Sequence, residues 1–292
     1  MMQRIIWLVI AICFAGCGVG RRNTIVVGSK NFTEQAILGE IVAQQLEART
    51  KLNIERRFYL AGSYICQQAM LSGRVDIYVE YTGTALTAIL KDPVETNRAA
   101  VLDRVRREYA SRFNLLVAEP LGFNNTFAIV IRGEDARRTG IHTLSQSAAY
   151  TPQWRPGFGF EFMERPDGYQ GLARTYGLKF SASPRIMDLG LLYRALLEKQ
   201  VDLVAGNSTD GLIAARDLAI LADDKNYFPP YEAVPIVRIQ TIERHPEVRQ
   251  ALAELAGKIS DEEMRKLNYA VDGERRDTAE VVREFLHRKG LN

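Results

Sequence analysis

Two stretches of the chain carry the same alternation of apolar and polar positions. Residues 75–81 are Val75, then Asp76, then the run Ile77, Tyr78 and Val79, then Glu80, and end at Tyr81. A short polar loop follows, and apolar positions then recur at helical spacing at Ala85, Leu86, Ala88 and Ile89. This pattern predicts a buried strand, a loop, and a helix capped by Thr84. Residues 200–210 repeat it 126 positions later, Asp76 falling on Asp202, Tyr81 on Asn207, Thr82 on Ser208 and Thr84 on Asp210. The repeat predicts two similar lobes facing one cleft. In open α/β sheets ligands lie beyond the carboxyl ends of strands, beside helix N-termini, so Tyr81 and Thr84 project where a ligand would sit.

The remaining elements follow from the same reading. The apolar run 24–28 predicts a central strand. Asn31, with Glu34 three residues on, forms a capping signal for a helix whose stripe is Ile37, Ile41, Val42 and Leu46. Lys30 precedes that helix, where the positive dipole end already favours anions. A strand at 54–60, a helix at 63–72 and helices near 83–91 and 95–112 complete a βαβαβα lobe with parallel strands. Residues 121–132 turn from polar to apolar and make a first crossing between lobes. The second lobe has a helix capped at Thr143, a strand at 158–160, a helix stopped by Gly177, a strand around 185–187 and a helix at 188–199. Residues 223–231 form an aromatic-rich loop, and 234–239 make the return crossing. Three helices near 246–257, 260–269 and 278–289 should pack on the first lobe. The expected fold is α/β, two lobes each built on a mostly parallel sheet flanked by helices. Lobe I takes 24–127 plus 236–292, and lobe II takes 128–235.

Composition adds limits. A chain of 292 residues with 47% hydrophobic and 25% charged content suits one large or two medium domains. The formal charge is +3, and +2 without residues 1–16, where Arg4 is the only charged residue. There is no basic stripe interleaved with aromatics, so nucleic acid is not an expected partner. Arg4 precedes an apolar run at 5–14 that is too short to span a bilayer and suits a signal peptide, here 1–16. Phe14-Ala15-Gly16-Cys17 is similar to a bacterial lipoprotein cleavage box, which makes Cys17 the acylated first residue and 17–23 a tether to the membrane. A plain signal peptide with an incidental Cys17 is the alternative. Three cysteines, Cys13, Cys17 and Cys66, argue against a disulfide framework, and Cys66 reads as a small buried side chain.

The chemistry favours binding over catalysis. His142, His245 and His287 stand in loop or helix-surface contexts, and no zinc-protease, paired-cysteine, P-loop or nucleophile-elbow motif occurs. Ser208 lacks the elbow's glycine spacing, and the Asp223-Asp224 pair reads as solvated rather than metal-binding. No cofactor is expected. Tyr81, Phe127 and Tyr231 lie at strand ends or in loops near the lobe boundary, and aromatic faces attract quaternary ammonium groups. Lys30 and Arg165 are placed to take a carboxylate, Arg165 as a two-pronged donor. Rings of this kind also serve as plain core packing.

With these residues in view, the chain resembles the substrate-binding proteins of glycine betaine/choline (osmoprotectant) ABC importers. The resemblance rests on residues 28–35 (GSKNFTEQ), 80–84 (EYTGT), 120–126 (PLGFNNT), 164–169 (ERPDGY), 208–211 (STDG), 223–231, 257–261 and 267–269. It implies a two-lobe (type II) periplasmic-binding-protein fold with two crossing strands as hinge, closing over its ligand and delivering it to a permease with its ATPase. It also implies an aromatic box for trimethylammonium at Tyr81, Phe127, Asn207 and Tyr231, and a carboxylate anchor at Lys30, Thr84 and Arg165 with Asn125 nearby. Two box positions depart from the family's tyrosines: Phe127 lacks the hydroxyl and Asn207 lacks a ring. The expected function is capture of a quaternary-ammonium compatible solute of the glycine betaine, choline or carnitine type by a monomeric, extracytoplasmic lipoprotein. A bulkier trimethylated zwitterion such as ergothioneine, or a sensory or scavenging role without a transporter, are the alternatives.

Overall fold

The structure is a computed structural model that describes residues 23–291. Residues 1–16, Cys17 and most of the expected tether lie outside the described residues. Ten strands occur among the described residues: β1 (Thr24–Gly28), β2 (Asn53–Arg57), β3 (Ile77–Tyr81), β4 (Leu115–Val117), β5 (Phe127–Arg132), β6 (Pro156–Phe158), β7 (Arg185–Ile186), β8 (Leu203–Asn207), β9 (Leu218–Leu221) and β10 (Ala233–Arg238). They form two five-stranded sheets, in the orders β2-β1-β3-β10-β4 and β7-β6-β8-β5-β9. Within the first sheet β10 runs antiparallel to both neighbours and the rest run one way; within the second β5 does the same. Both are therefore mixed sheets with one reversed strand.

β3 is buried at every position because helices cover both faces of its sheet, which is why its sequence reads as a near-continuous apolar run. Glu80 breaks that run and is fully buried, so it needs a partner. The helix Thr33–Arg49 is buried on most of its circumference, as expected where the C-terminal helices Glu247–Ala253, Asp261–Asp272 and Thr278–Lys289 all pack against it. Asp261–Asp272 also packs on the short helix Gly211–Ala215 of the second half. A side chain at Gly211 would stand 2.5 Å from Cβ of Tyr269, so only glycine allows this approach. No helix of the described residues is long and apolar enough to cross a membrane.

The 126-residue repeat has a structural counterpart. β3 and β8 occupy the same place in their sheets, and the aspartate before each does the same work. Asp76 accepts from the Val26 amide (3.0 Å) and Asp202 from the Arg155 amide (3.0 Å), each tying its strand to the neighbouring β1 or β6. Arg238, at the end of β10, reaches Asp76 at 3.5 Å, and Arg132, at the end of β5, reaches Asp202 at 2.9 Å. Three arginine contacts hold Asp202 down at about 2, against the opposing effect of burial.

Three local expectations are corrected. The helix after β1 has Phe32 at its N-cap with no side-chain cap, so the Asn31–Glu34 capping signal is not used. Thr84 does not cap either: the helix after β3 starts at Thr82 and passes at Ala85–Ile89 into a wider, π-helical turn. Edge strands β4 and β9 were not signalled, being only 3 and 4 residues long. The Thr143 cap is present as a full capping box with Gln146.

Candidate functional site

A cavity of about 1100 Å³ opens between the two sheets, at the carboxyl ends of β1, β3 and β8. All eight residues expected to meet a ligand line it: Lys30, Tyr81, Thr84, Asn125, Phe127, Arg165, Asn207 and Tyr231. Their positions follow from the elements. Lys30 follows β1, while Tyr81 and Asn207 end β3 and β8. Phe127 starts β5 directly across the ladder from Asn207. Asn125 and Tyr231 lie on the two segments that join the halves, whose backbones meet through Asn125 N–H to the Tyr231 carbonyl at 3.0 Å.

The aromatic wall is a connected cluster. The Phe127 ring stands edge-to-face against Tyr231 at 5.6 Å and against Phe162 at 4.7 Å. Phe162 was not singled out from the sequence, because its helical setting reads as ordinary core. Gly83 sits against Tyr231 so closely that a Cβ there would lie 2.7 Å from the ring.

Two cations of the protein stand over these rings. Lys30 Nζ is 4.6 Å from the Tyr81 centroid, and Arg165 Cζ is 5.1 Å from Phe127 and 5.5 Å from Tyr231. Each is matched by a carboxylate. Lys30 donates to Glu80 at 2.5 Å and to Ser63 at 3.2 Å, which answers the need of the buried Glu80. The two-pronged donation expected of Arg165 goes to Asp167, Nε to Oδ1 at 2.8 Å and Nη2 to Oδ2 at 2.6 Å. Its Nη1 donates to Thr84 at 2.7 Å. Burial works against the Arg165 charge, but Tyr231 and Asp167 outweigh it and raise its pKa. Burial pushes the Asp167 carboxyl up, but Arg165, Tyr231 and Thr87 hold it below the usual range.

These contacts also cross the cavity. Arg165 meets Thr84, Thr87 donates to Asp167 at 2.9 Å, and the Ser63 amide donates to Glu161 at 2.7 Å. The helical turns after β3 are thereby joined to the 160–168 segment of the second half. Asp167 was missed in the sequence, although it stands two residues after Arg165, across a proline, in the turn that the Gly168 amide closes onto the Arg165 carbonyl at 3.0 Å.

Glu34 is the other residue missed. It is buried behind the cavity wall and takes four donors. Oε1 accepts from Tyr81 Oη (2.6 Å) and Asn125 Nδ2 (2.7 Å); Oε2 accepts from Thr209 Oγ1 (2.5 Å) and Asn268 Nδ2 (2.8 Å). Burial raises its pKa despite these four hydrogen bonds. Asp210 lies nearby, accepting from Tyr193 Oη and the Asn207 amide, and burial pushes it up to about 7. Asp223 is not solvated as expected: it accepts from the amides of Tyr227 and Phe228 and from the Tyr176 hydroxyl, folding the loop that leads to Tyr231.

Comparison with known proteins agrees with this architecture. Residues 23–288 match the family model described as the substrate binding domain of ABC-type glycine betaine transport system. The carnitine transport binding protein OpuCC of Listeria monocytogenes is 34% identical over 275 residues, covering 94% of this chain and 89% of that protein. A Helicobacter pylori protein described as an ergothioneine transport permease/ergothioneine binding protein is 36% identical over 91% of this chain. The present chain spans only 48% of that relative's length. A crystal structure titled as a glycine betaine/carnitine/choline ABC transporter superposes with a TM-score of 0.76 at 32% identity, over 91% of this chain and 99% of that one. Proteins of this kind are not enzymes; they bind a small molecule outside the cytoplasm and work with a permease. The two-lobe α/β fold, the inter-lobe cavity and the match over 23–288 together establish that this chain belongs to the family of substrate-binding proteins of ABC-type glycine betaine importers.

Proposed function

We propose that this protein captures a quaternary-ammonium zwitterion between its lobes, with the trimethylated head against Tyr81, Phe127 and Tyr231. The observation that carries the reading is the shared wall: three aromatic rings from β3, β5 and the segment before β10 line one cavity with two basic groups. Each well-placed ring contributes about 0.5–2 kcal/mol toward such a head. The anionic end is taken by Arg165 and Thr84, with Lys30 and Asn125 beside them. Because Glu80 and Asp167 already neutralise Lys30 and Arg165, the anion anchor is weaker than two free cations would be. The head, rather than the tail, then dominates recognition.

Lobe I comprises 24–126 plus 233–292 and lobe II comprises 127–232, hinged on the two crossing segments. These bounds stand in place of the 24–127 plus 236–292 and 128–235 expected from the sequence, so that β5 and β10 each stay whole within one sheet. Ligand contacts both lobes, so it stabilises the closed form over the open one. The closed protein delivers its ligand to a permease and ATPase. It works as a monomer tethered outside the cytoplasm through an acylated Cys17.

A bulkier ligand of the ergothioneine type is the second reading, favoured by Asn207 standing where the family has a ring and by the size of the cavity. About 1100 Å³ is at the upper end of ordinary small-molecule pockets. A thermal-shift screen of glycine betaine, choline, carnitine and ergothioneine separates the two. Stabilisation by ergothioneine alone selects the second, and no shift with any of the four excludes both.

A further inference from the structure

Each of the two cage tyrosines has a carboxylate at its hydroxyl. Tyr81 donates to Glu34 at 2.6 Å and Tyr231 to Asp167 at 2.5 Å, and both rings are buried. The two carboxylates are not equivalent. Asp167 is paired with Arg165, and Glu80, at the wall's other end, is paired with Lys30. The four hydrogen-bond partners of Glu34 are neutral donors, and among the described residues no cation lies within ion-pair distance of it. With Lys30 and Arg165 each matched, Glu34 is the carboxylate held against a cage tyrosine with no ion-pair partner; Glu161, on the cavity wall, accepts from the Ser63 amide instead.

We infer that Glu34, acting through the Tyr81 hydroxyl, is the residue that makes the cage prefer a permanently charged head to a neutral head of the same shape. A hydroxyl that donates to a carboxylate shifts electron density toward its ring, and hydrogen bonds in series polarise one another. The Tyr81 face, already held at 4.6 Å by Lys30 on one side, is thereby kept electron-rich for a second cation. The charge of Glu34 itself also acts across the low-dielectric wall. Its four donors come from β3, the first crossing segment, the loop after β8 and a C-terminal helix, so the carboxylate is fixed in place before any ligand arrives. Glu34 does not line the cavity. It is therefore a positioning and polarising residue rather than a ligand contact.

This inference rests on the quaternary-ammonium reading above, and its test separates the two. Affinities are measured for glycine betaine and for 3,3-dimethylbutanoate, in which carbon replaces the nitrogen and the shape is kept. Choline and 3,3-dimethylbutan-1-ol form a second pair without the carboxylate. The wild type should favour the charged member of each pair. In Glu34→Gln that preference should fall on the order of tenfold, the loss falling on the charged member. Tyr81→Phe, which places no amide in the carboxylate's seat, should lower it in the same direction; thermal melts establish that each variant is folded. If the folded variants keep the wild-type preference while both members weaken together, Glu34 is only structural and the inference is overturned. If the wild type itself binds charged and neutral heads alike, the quaternary-ammonium reading fails, and the inference with it.

Discussion

The hydroxyl of Tyr231 donates to Oδ2 of Asp167 at 2.5 Å, joining the segment before β10 to the turn that carries Arg165. The ring and hydroxyl of Tyr231 therefore have separable tasks. Tyr231→Phe keeps the ring but removes one of the donors to a buried carboxylate, and Tyr231→Ala removes both. Affinity for a trimethylated ligand should fall several-fold with Phe and by roughly a further tenfold with Ala. Calorimetric affinities check this, and equal losses would assign the whole effect to the hydroxyl.

Asn207 pairs across the ladder with Phe127 and ends β8 where β3 ends in Tyr81. Asn207→Tyr adds a ring opposite an existing one. It should tighten glycine betaine by about 0.5–2 kcal/mol. Unchanged affinity for glycine betaine would show that the missing ring is not what limits binding.

Gly83 leaves no room for a side chain: a Cβ would stand 2.7 Å from the Tyr231 ring and 2.8 Å from the Pro230 carbonyl. Gly83→Ala should displace that ring. The expected result is weaker ligand binding together with a stability loss on the order of 1–3 kcal/mol. A wild-type urea midpoint in the variant would show that the wall yields freely.

Asp210 is pushed up to about 7 from an ordinary value of 3.8, chiefly by burial. The folded state thus holds this proton more tightly than the unfolded chain does. Its contribution is complete below about pH 4 and is lost as pH rises through about 7. Asp210→Asn stays neutral and still accepts from Tyr193 and the Asn207 amide. The variant's urea midpoint should therefore gain on the wild type between pH 4 and pH 8, by an amount on the order of a few kcal/mol in stability. A difference that does not change with pH would mean that Asp210 is already ionised, or already neutral, throughout.

Much of this architecture is legible in the chain because period and spacing are local. The 126-residue repeat is visible in Asp76 and Asp202, since each must sit just before a buried strand to tie it to its neighbour. The cage residues are legible through their motifs, which fall at strand ends. Glu34 is not, because Asn31-x-x-Glu34 looks like a capping pair. What decides its role is four donors that come from 47 to 234 positions away. The partner of Lys30 is hidden for a related reason, lying 50 positions away, whereas that of Arg165 lies only 2 positions on. A basic residue at a helix start reads as a free anion site until the fold brings Glu80 beside Lys30.

The claim most exposed to experiment is that a trimethylated head is held by the rings between the two halves. Titration calorimetry of the purified protein with glycine betaine, carnitine and ergothioneine, beside a Phe127→Ala/Tyr231→Ala variant, tests it directly. The expected result is micromolar binding of at least one of the three, about 8 kcal/mol, and loss of most of it in the variant. Binding of the same strength in wild type and variant, or no binding of any of the three by the folded protein, would contradict it.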